Sequence, residues 1–178
     1  HAALPPHDGR VTAKDDLDRR TAQQIIAALG YDRALDYIWS GSTEYPAYAR
    51  IAREASLAAG TAGRAVQLAA ETAERATVIH GDATLSSAQK REALRVVQQT
   101  ARTHFDALIP PGAQQRLNPN ALTWLNVLGD GSYKTIATLM PGINAGNVRW
   151  IVAGGVQSVD SPVSEYRPVQ NLVPPRPG

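Results

Sequence analysis

The sequence predicts a mainly α-helical fold, and three features favour that class. Alanine dominates the apolar residues, whereas aromatic residues make up only 6% of the 178-residue chain, and alanine has the highest helix propensity. Apolar residues recur at three- and four-residue spacings over long stretches, as one helix face requires. Capping residues, glycines and prolines separate these stretches where helices begin and end.

Composition divides the chain into four segments. Prolines recur through the last segment, which is predicted to be extended and without a core of its own. The segment before it contains a β-branched run bounded by glycines, typical of a short strand. The four are an extended leader (1–11), a helical domain (12–140), an irregular or short β-hairpin segment (141–157) and a Pro-rich tail (158–178).

Short helices are predicted in the first third of the chain. One covers residues 17–29 and ends at Gly30, since glycine is the usual residue after a helix. A second covers residues 31–39. Thr43 is predicted to cap a third helix that continues to Ala59.

Two long helices, 61–80 and 86–109, form the predicted centre of the fold. The first is rich in alanine, and its apolar stripe comprises Ala65, Leu68 or Ala69, Thr72, Ala76 and Ile79. The second begins with Ser86 three residues before Gln89, the pattern of a capping box. Because their connection is short, we expect an antiparallel helical hairpin on which a bundle is built.

The chain after the hairpin is less regular. Asn118 before Pro119 is typical of a helix start, and a short helix to Leu128 is predicted there. The residues of 133–157 alternate in a way that fits either a strand or helical turns.

The charge balance argues against nucleic acid as a partner. The chain has 18 Lys and Arg against 16 Asp and Glu, a net charge of +2, without the basic clustering and stacking aromatics of a nucleic-acid surface. The second long helix has a stripe of basic residues, which we interpret as a solvated helix face: Lys90, Arg91, Arg95 and Arg102. The chain also lacks the roughly 18–20 consecutive apolar residues of a membrane span, so we predict that it does not cross a membrane.

The sequence offers no convergent set of catalytic or metal-binding residues. The chain has no cysteine, which excludes thiol catalysis and iron–sulfur ligation. His80 and His104 lie at different heights of the predicted hairpin, whereas metal sites need several ligands together. Glu71 and Glu74 are interpreted as solvated charges on a helix surface. We predict no catalytic residue, no metal site and no cofactor.

Three tryptophans leave one alternative open. Trp39, Trp124 and Trp150 are bulky side chains in a core of small ones, where anchoring the core is their expected role. The alternative is a small hydrolase or ligand carrier with a pocket between helices near Trp39, Trp124 and His104.

The run Leu85-Ser86-Ser87-Ala88-Gln89, at the head of a long amphipathic helix, resembles the L-T-x-x-Q motif of bacterial periplasmic stress proteins such as the Spy and CpxP chaperones. In that family a second copy often closes the following helix. Here the segment from Leu108 to Gln114 stands in that place, with two extra residues and no threonine. The resemblance covers residues 85–117 and implies an exported helical protein without a cofactor.

These observations predict a non-enzymatic protein that works through contacts with partner proteins or with itself. We expect either an accessory or structural subunit of an envelope assembly or a holdase-like chaperone. A start at His1 fits either a trimmed fragment or a mature chain whose signal peptide has been removed. The second alternative underlies the expected periplasmic or secreted location. The residues predicted to bind a partner lie in the last two segments: Trp150, Tyr166, Pro168, Leu172, Pro174 and Pro175.

Overall fold

The structure is a computed structural model that describes residues 20–130, with only the backbone at positions 129 and 130. Its helices in chain order are α1 (20–29), α2 (Tyr31–Trp39), α3 (Tyr45–Glu54), α4 (Thr61–Gly81), α5 (Ser87–Leu108), α6 (Pro111–Gln114), the 3-10 helix Pro119–Leu122 and α7 (Thr123–Asp130). A mainly α fold is therefore confirmed for this part of the chain. The predictions for the leader 1–11, the segment 141–157 and the tail 158–178 lie outside the described residues.

Several helix ends fall where the sequence predicts them. Gly30 follows α1 with a φ of +76°, a conformation that glycine adopts without steric cost. Ser86 forms the complete capping box with Gln89 at the start of α5. The side chain of Asn118 accepts the N–H of Asn120 at 3.0 Å and caps the 3-10 helix that precedes α7.

The predicted end of the third helix is wrong. The prediction extended it to Ala59, but α3 ends at Glu54 and the chain turns through Ser56, whose φ is +51°. The N–H of Leu57 returns to the carbonyl of Ala52 at 2.8 Å, and the Leu57 side chain packs on the core. The burial of Leu57 offsets the cost of the left-handed conformation, which helix propensity alone would not predict.

Helix α4 lies at the centre of the described fold, in contact with α2, α3, α5 and α7. All residues of its predicted stripe are buried, and so are others on its remaining faces, such as Ala62, Ala70 and Ala73. Short side chains let the axes of neighbouring helices approach closely. The sequence predicted one apolar stripe on α4, but its alanines allow neighbouring helices to pack on several of its sides.

The aromatic side chains of the core come from the helices around α4. The ring of Phe105 on α5 makes edge contacts with Tyr48 of α3 and Trp124 of α7, with centroid distances of 5.7 and 6.0 Å. The indole N–H of Trp124 donates to the Tyr48 hydroxyl at 3.0 Å, and this hydroxyl donates to the carbonyl of Ala121 at 2.6 Å. Three helices are thus joined by one buried, hydrogen-bonded aromatic cluster.

Helices α4 and α5 pack on each other across the connection 82–86. At that end, the ammonium group of Lys90 donates to the carbonyl of His80 at 2.7 Å. Across residues 20–130, none of the helices has both the length and the apolar character of a membrane span.

Candidate functional site

A chain of polar side chains crosses from α2 to α4. The indole Nε1–H of Trp39 donates to Oε1 of Gln67 at 2.9 Å, and Nε2 of Gln67 donates to Oε1 of Glu71 at 2.7 Å. Trp39 and Gln67 are only 4% and 5% exposed, while Glu71 is half-buried. An indole N–H can only donate, so it fixes the orientation of the Gln67 amide and aims the amide N–H at the carboxyl of Glu71.

The electrostatics of Glu71 differ from those of a surface carboxylate. Burial raises its pKa to about 7, against smaller lowering effects of the Gln67 hydrogen bond and Arg75, and Glu74 raises it further. This carboxyl exchanges its proton near neutral pH, where ordinary glutamates are fully ionised. Its hydrogen-bond donor is the Gln67 amide, which the Trp39 indole orients, and neither group supplies a nucleophile.

The sequence-based interpretation of Glu71 and Glu74 as solvated charges is wrong, since both are half-buried. Position 71 lies off the apolar stripe of α4, and helical periodicity therefore places it in solvent. It lies one turn beyond Gln67, on the face of α4 that meets Trp39 of α2. The only sequence signal for this site is the spacing of Gln67 four residues before Glu71, which predicts that the two side chains meet on one helix face. This spacing does not predict which residue of another helix contacts them.

A second polar group docks α2 on the first turn of α4. The guanidinium of Arg64 binds the carboxylate of Asp32, with its Nε–H at 2.9 Å, and lies 5.9 Å from the ring centre of Tyr31. The backbone N–H of Gly63 donates to Asp36 at 2.9 Å. The Asp36 carboxylate thus satisfies one backbone N–H that the first turn of α4 leaves without a helical partner, and the Arg64 contacts join α2 to the same turn.

The turn between α2 and α3 buries two polar atoms. Ser42 Oγ and Glu44 Oε2 have no hydrogen-bond partner among the described residues, and burial raises the pKa of Glu44. The prediction that Thr43 caps α3 is wrong: the helix begins after Glu44, and that residue's side chain makes no capping bond.

The residues of the predicted pocket are used in the core. Trp39 and Trp124 are 4% and 2% exposed, and each indole N–H donates to another side chain of the fold, Gln67 and Tyr48 respectively. His104 is half-buried on α5. The two indoles anchor the packing of helices, and this geometry gives the hydrolase or ligand-carrier alternative no observation in its favour.

The predicted partner-binding residues all lie outside the described residues: Trp150, Tyr166, Pro168, Leu172, Pro174 and Pro175. Within 20–130, there is no group of three or more His, Asp or Glu side chains placed to hold a metal ion.

The residues of the L-S-S-A-Q run and of its counterpart lie at the two ends of α5. Leu85 packs on the core and Ser86 and Gln89 close the capping box. At the other end, Nε2 of Gln114 donates to the carbonyl of Ile109 at 2.6 Å and to Asp106 at 2.8 Å. Both glutamines therefore satisfy polar groups at the ends of one helix.

In comparisons of this chain with protein-family models, curated proteins and solved structures, nothing matches.

Proposed function

We propose that this chain acts by contact with other proteins or with copies of itself, without catalysing a reaction. The observation that carries the proposal is the use of its largest side chains. Trp39 and Trp124 are buried and hydrogen-bonded within the fold, so the bulk that would line a ligand pocket instead fixes helices to one another. A scaffold of this kind presents a surface of constant shape to a partner.

The scaffold is proposed to be a bundle organised on an antiparallel hairpin of α4 and α5. The short connection 82–86 and the bond between Lys90 and the carbonyl of His80 support that arrangement. The direct packing of α5 on α4 also supports it, because two consecutive helices that share a short connection and pack on each other form a hairpin.

Two exposed apolar side chains supply a starting point for the contact surface. Tyr37 on α2 is 63% exposed and Val78 on α4 is 56% exposed. Tyrosine is enriched at protein interfaces because it combines a large apolar ring with a hydroxyl group. Either an accessory subunit or a holdase-like chaperone would use such residues, and the two versions make different predictions.

The proposed location is periplasmic or secreted. The resemblance at residues 85–117 to periplasmic stress proteins supports it, and a cysteine-free composition is compatible with it.

The test uses the full chain and two assays. A holdase-like chaperone suppresses the light scattering of a heat-unfolded client in proportion to its concentration, whereas an accessory subunit forms a complex of fixed stoichiometry or self-associates in light-scattering mass measurements. Tyr37→Ser and Val78→Ser are expected to weaken whichever activity is found. Thr77→Ser, at an exposed neighbouring position of α4, is the matched control. A monomer that neither suppresses aggregation nor forms a complex contradicts the proposal.

A further inference from the structure

Burial separates the charged side chains of this fold by sign. Among residues 20–128 there are nine Asp and Glu residues, and seven of them are half-buried. The same residues include eleven Lys and Arg, of which seven, all arginines, are exposed. The two exposed carboxylates, Glu54 and Glu92, are each bound by an arginine of the same helix. The solvent-facing surface of this part of the chain is therefore basic, although the net charge of the whole chain is only +2.

Three of the exposed arginines meet where α3 passes the segment between α6 and the 3-10 helix. Arg50 and Arg53 lie three residues apart on α3, a spacing that places both on one helix face. Nη2 of Arg50 donates to the backbone carbonyl of Arg116 at 3.0 Å, which brings a third arginine to this face. We call Arg50, Arg53 and Arg116 the arginine patch.

The arginine patch has an excess of positive charge. Its exposed carboxylate is Glu54, which accepts Nη1–H of Arg50 at 3.1 Å. Two other carboxyl groups, on α2 and just before α3, are turned toward the fold: Asp36 accepts a backbone N–H of α4, and Oε2 of Glu44 is buried. Within the described residues, the other two arginines of the patch form no ion pair, so their charges are available to a partner.

The backbone that carries the patch is fixed by buried contacts. The hydroxyl of Tyr48 on α3 donates to the carbonyl of Ala121 at 2.6 Å. Leu117, the residue after Arg116, is only 7% exposed and belongs to the core. Because both segments are anchored, less conformational freedom is lost when the arginines bind a partner than if they lay on an unanchored loop.

We propose that the arginine patch is the docking site for an acidic segment of a partner protein, whose Asp and Glu carboxylates bind the guanidinium groups. The inference names the chemistry of the partner in the proposed function and rests on that function. A guanidinium group is planar and donates two parallel N–H bonds to one carboxylate, a geometry that a lysine ammonium group does not offer. All three cations of the patch are of this kind.

An acidic protein segment fits the patch better than a nucleic acid does. Proteins that bind single strands stack the bases on aromatic side chains, whereas the exposed residues near the patch in sequence are Thr43, Pro46 and Asn118. Helix α3 has 10 residues and is about 15 Å long. Three arginines over that length neutralise fewer phosphates than the roughly six to ten that a DNA-binding surface contacts.

The test titrates the full chain into a fluorescently labelled deca-glutamate peptide at about 100 mM salt and follows its fluorescence anisotropy. We expect saturable binding that weakens as the salt concentration rises, because exposed ion pairs are screened. The double variant Arg53→Gln/Arg116→Gln should weaken binding about three- to twentyfold, the effect of losing two exposed ion pairs.

The matched control is Arg91→Gln/Arg95→Gln, which removes the same charge from two exposed positions of α5. Both positions lie at least about 15 Å along α5 from Phe105, the ring that contacts Tyr48 of α3. That separation exceeds the screening length of about 10 Å at this salt concentration, so the control should weaken binding less than about twofold. Circular dichroism verifies that both double variants are folded.

Three results would overturn the inference. The first is a wild-type chain that shows no saturable binding of the peptide. The second is equal weakening by the two double variants, which would assign the binding to diffuse surface charge. The third is an oligothymidylate of the same length that binds more tightly than the peptide and responds to the same patch variant. If the patch double variant does not fold, Arg116→Gln alone decides the question, since it should weaken binding more than Arg91→Gln alone.

The titration and the assays of the proposed function can fail separately. A complex that forms in those assays but is unaffected by Arg53→Gln/Arg116→Gln contradicts the docking site and leaves the proposed function in place. A chain that binds the peptide through the patch but neither forms a complex nor suppresses aggregation contradicts the proposed function.

Discussion

At the scale of single residues, the fold depends on positions where one group satisfies two neighbours at once. The Tyr48 hydroxyl accepts from the indole of Trp124 and donates to the carbonyl of Ala121. Gly63 allows α2 to approach α4 and donates its N–H to Asp36. Removing the Tyr48 hydroxyl leaves buried polar partners without a hydrogen bond, and adding a side chain at Gly63 overpacks the helix contact. Either change costs more free energy of unfolding than the loss of one surface contact.

Tyr48→Phe is expected to lower the free energy of unfolding by about 1–3 kcal/mol, because the Trp124 N–H and the Ala121 carbonyl lose their buried partner. Chemical denaturation of the full chain measures the change. Tyr37→Phe is the matched control, since Tyr37 is exposed and its change should stay within about 0.5 kcal/mol. Equal effects of the two substitutions would show that the buried cluster carries no special stability.

Gly63→Ala tests the close approach of α2. A Cβ at position 63 would lie 2.6 Å from the backbone carbon of Leu35 and from the nitrogen of Asp36. We expect a loss of about 1–3 kcal/mol, typical of overpacking, in the same denaturation experiment. Gly81→Ala, in the same helix and with open space around its Cβ, should leave stability unchanged or raise it. A neutral Gly63→Ala would be incompatible with this helix packing.

The raised pKa of Glu71 gives the stability of the fold a defined pH dependence. The folded-state pKa of about 7 lies above the ordinary value of 4.5, so the folded state binds more protons between these values. The stabilisation is fully present below about 4.5 and is lost as the pH rises through about 7. Glu71→Gln should remove this pH dependence of the free energy of unfolding, whose total change is at most about 3 kcal/mol. Thermal unfolding at a series of pH values measures it, and a slope unchanged by the substitution contradicts the assignment.

At the scale of elements, the helix termini follow local sequence closely. The end of α1 at Gly30, the bounds of α2 and the capping box of α5 all fall where the residue types predict them. Capping and turn chemistry act over three or four residues, so the information is present in the sequence itself. Both ends of α3 are exceptions. Thr43 does not cap the helix, and the helix ends early at Glu54, because packing of Leu57 on the core is not a local property.

Ser86→Ala tests the capping box. The Ser86 side chain accepts the N–H of Gln89, and replacing such a cap costs about 1 kcal/mol. Ser87→Ala changes an exposed residue of the same type one position later and should have a much smaller effect. The difference in free energy of unfolding between the two variants measures the cap, and a zero difference would contradict its contribution.

At the scale of the whole molecule, α4 is enclosed on several sides. Ala70, which lies off the predicted stripe, is as completely buried as Ala65 and Ala76 within it. Helical periodicity identifies the most apolar face of a helix, but it does not count the neighbours. How many helices pack on α4 is decided by the tertiary structure.

Ala70→Leu distinguishes a central α4 from a helix with one buried face. In the enclosed helix, the larger side chain has no space and should lower stability by about 1–3 kcal/mol. Ala88→Leu adds the same atoms at an exposed position of α5 and should change stability by less than about 0.5 kcal/mol. A tolerated Ala70→Leu would indicate that this face of α4 is open.

The sequence by itself determined the helical class, most helix boundaries, and Trp39 and Trp124 as core residues, since these depend on propensity, capping and side-chain size. Only the tertiary structure decided that Gln67 faces Trp39 and that Glu71 is partly desolvated. Those properties arise where two helices distant in sequence meet, and a carboxyl group's pKa depends on what surrounds it in space. The candidate site is therefore a product of packing: it joins a tryptophan that the sequence assigned to the core with a glutamate that it assigned to a solvated helix surface.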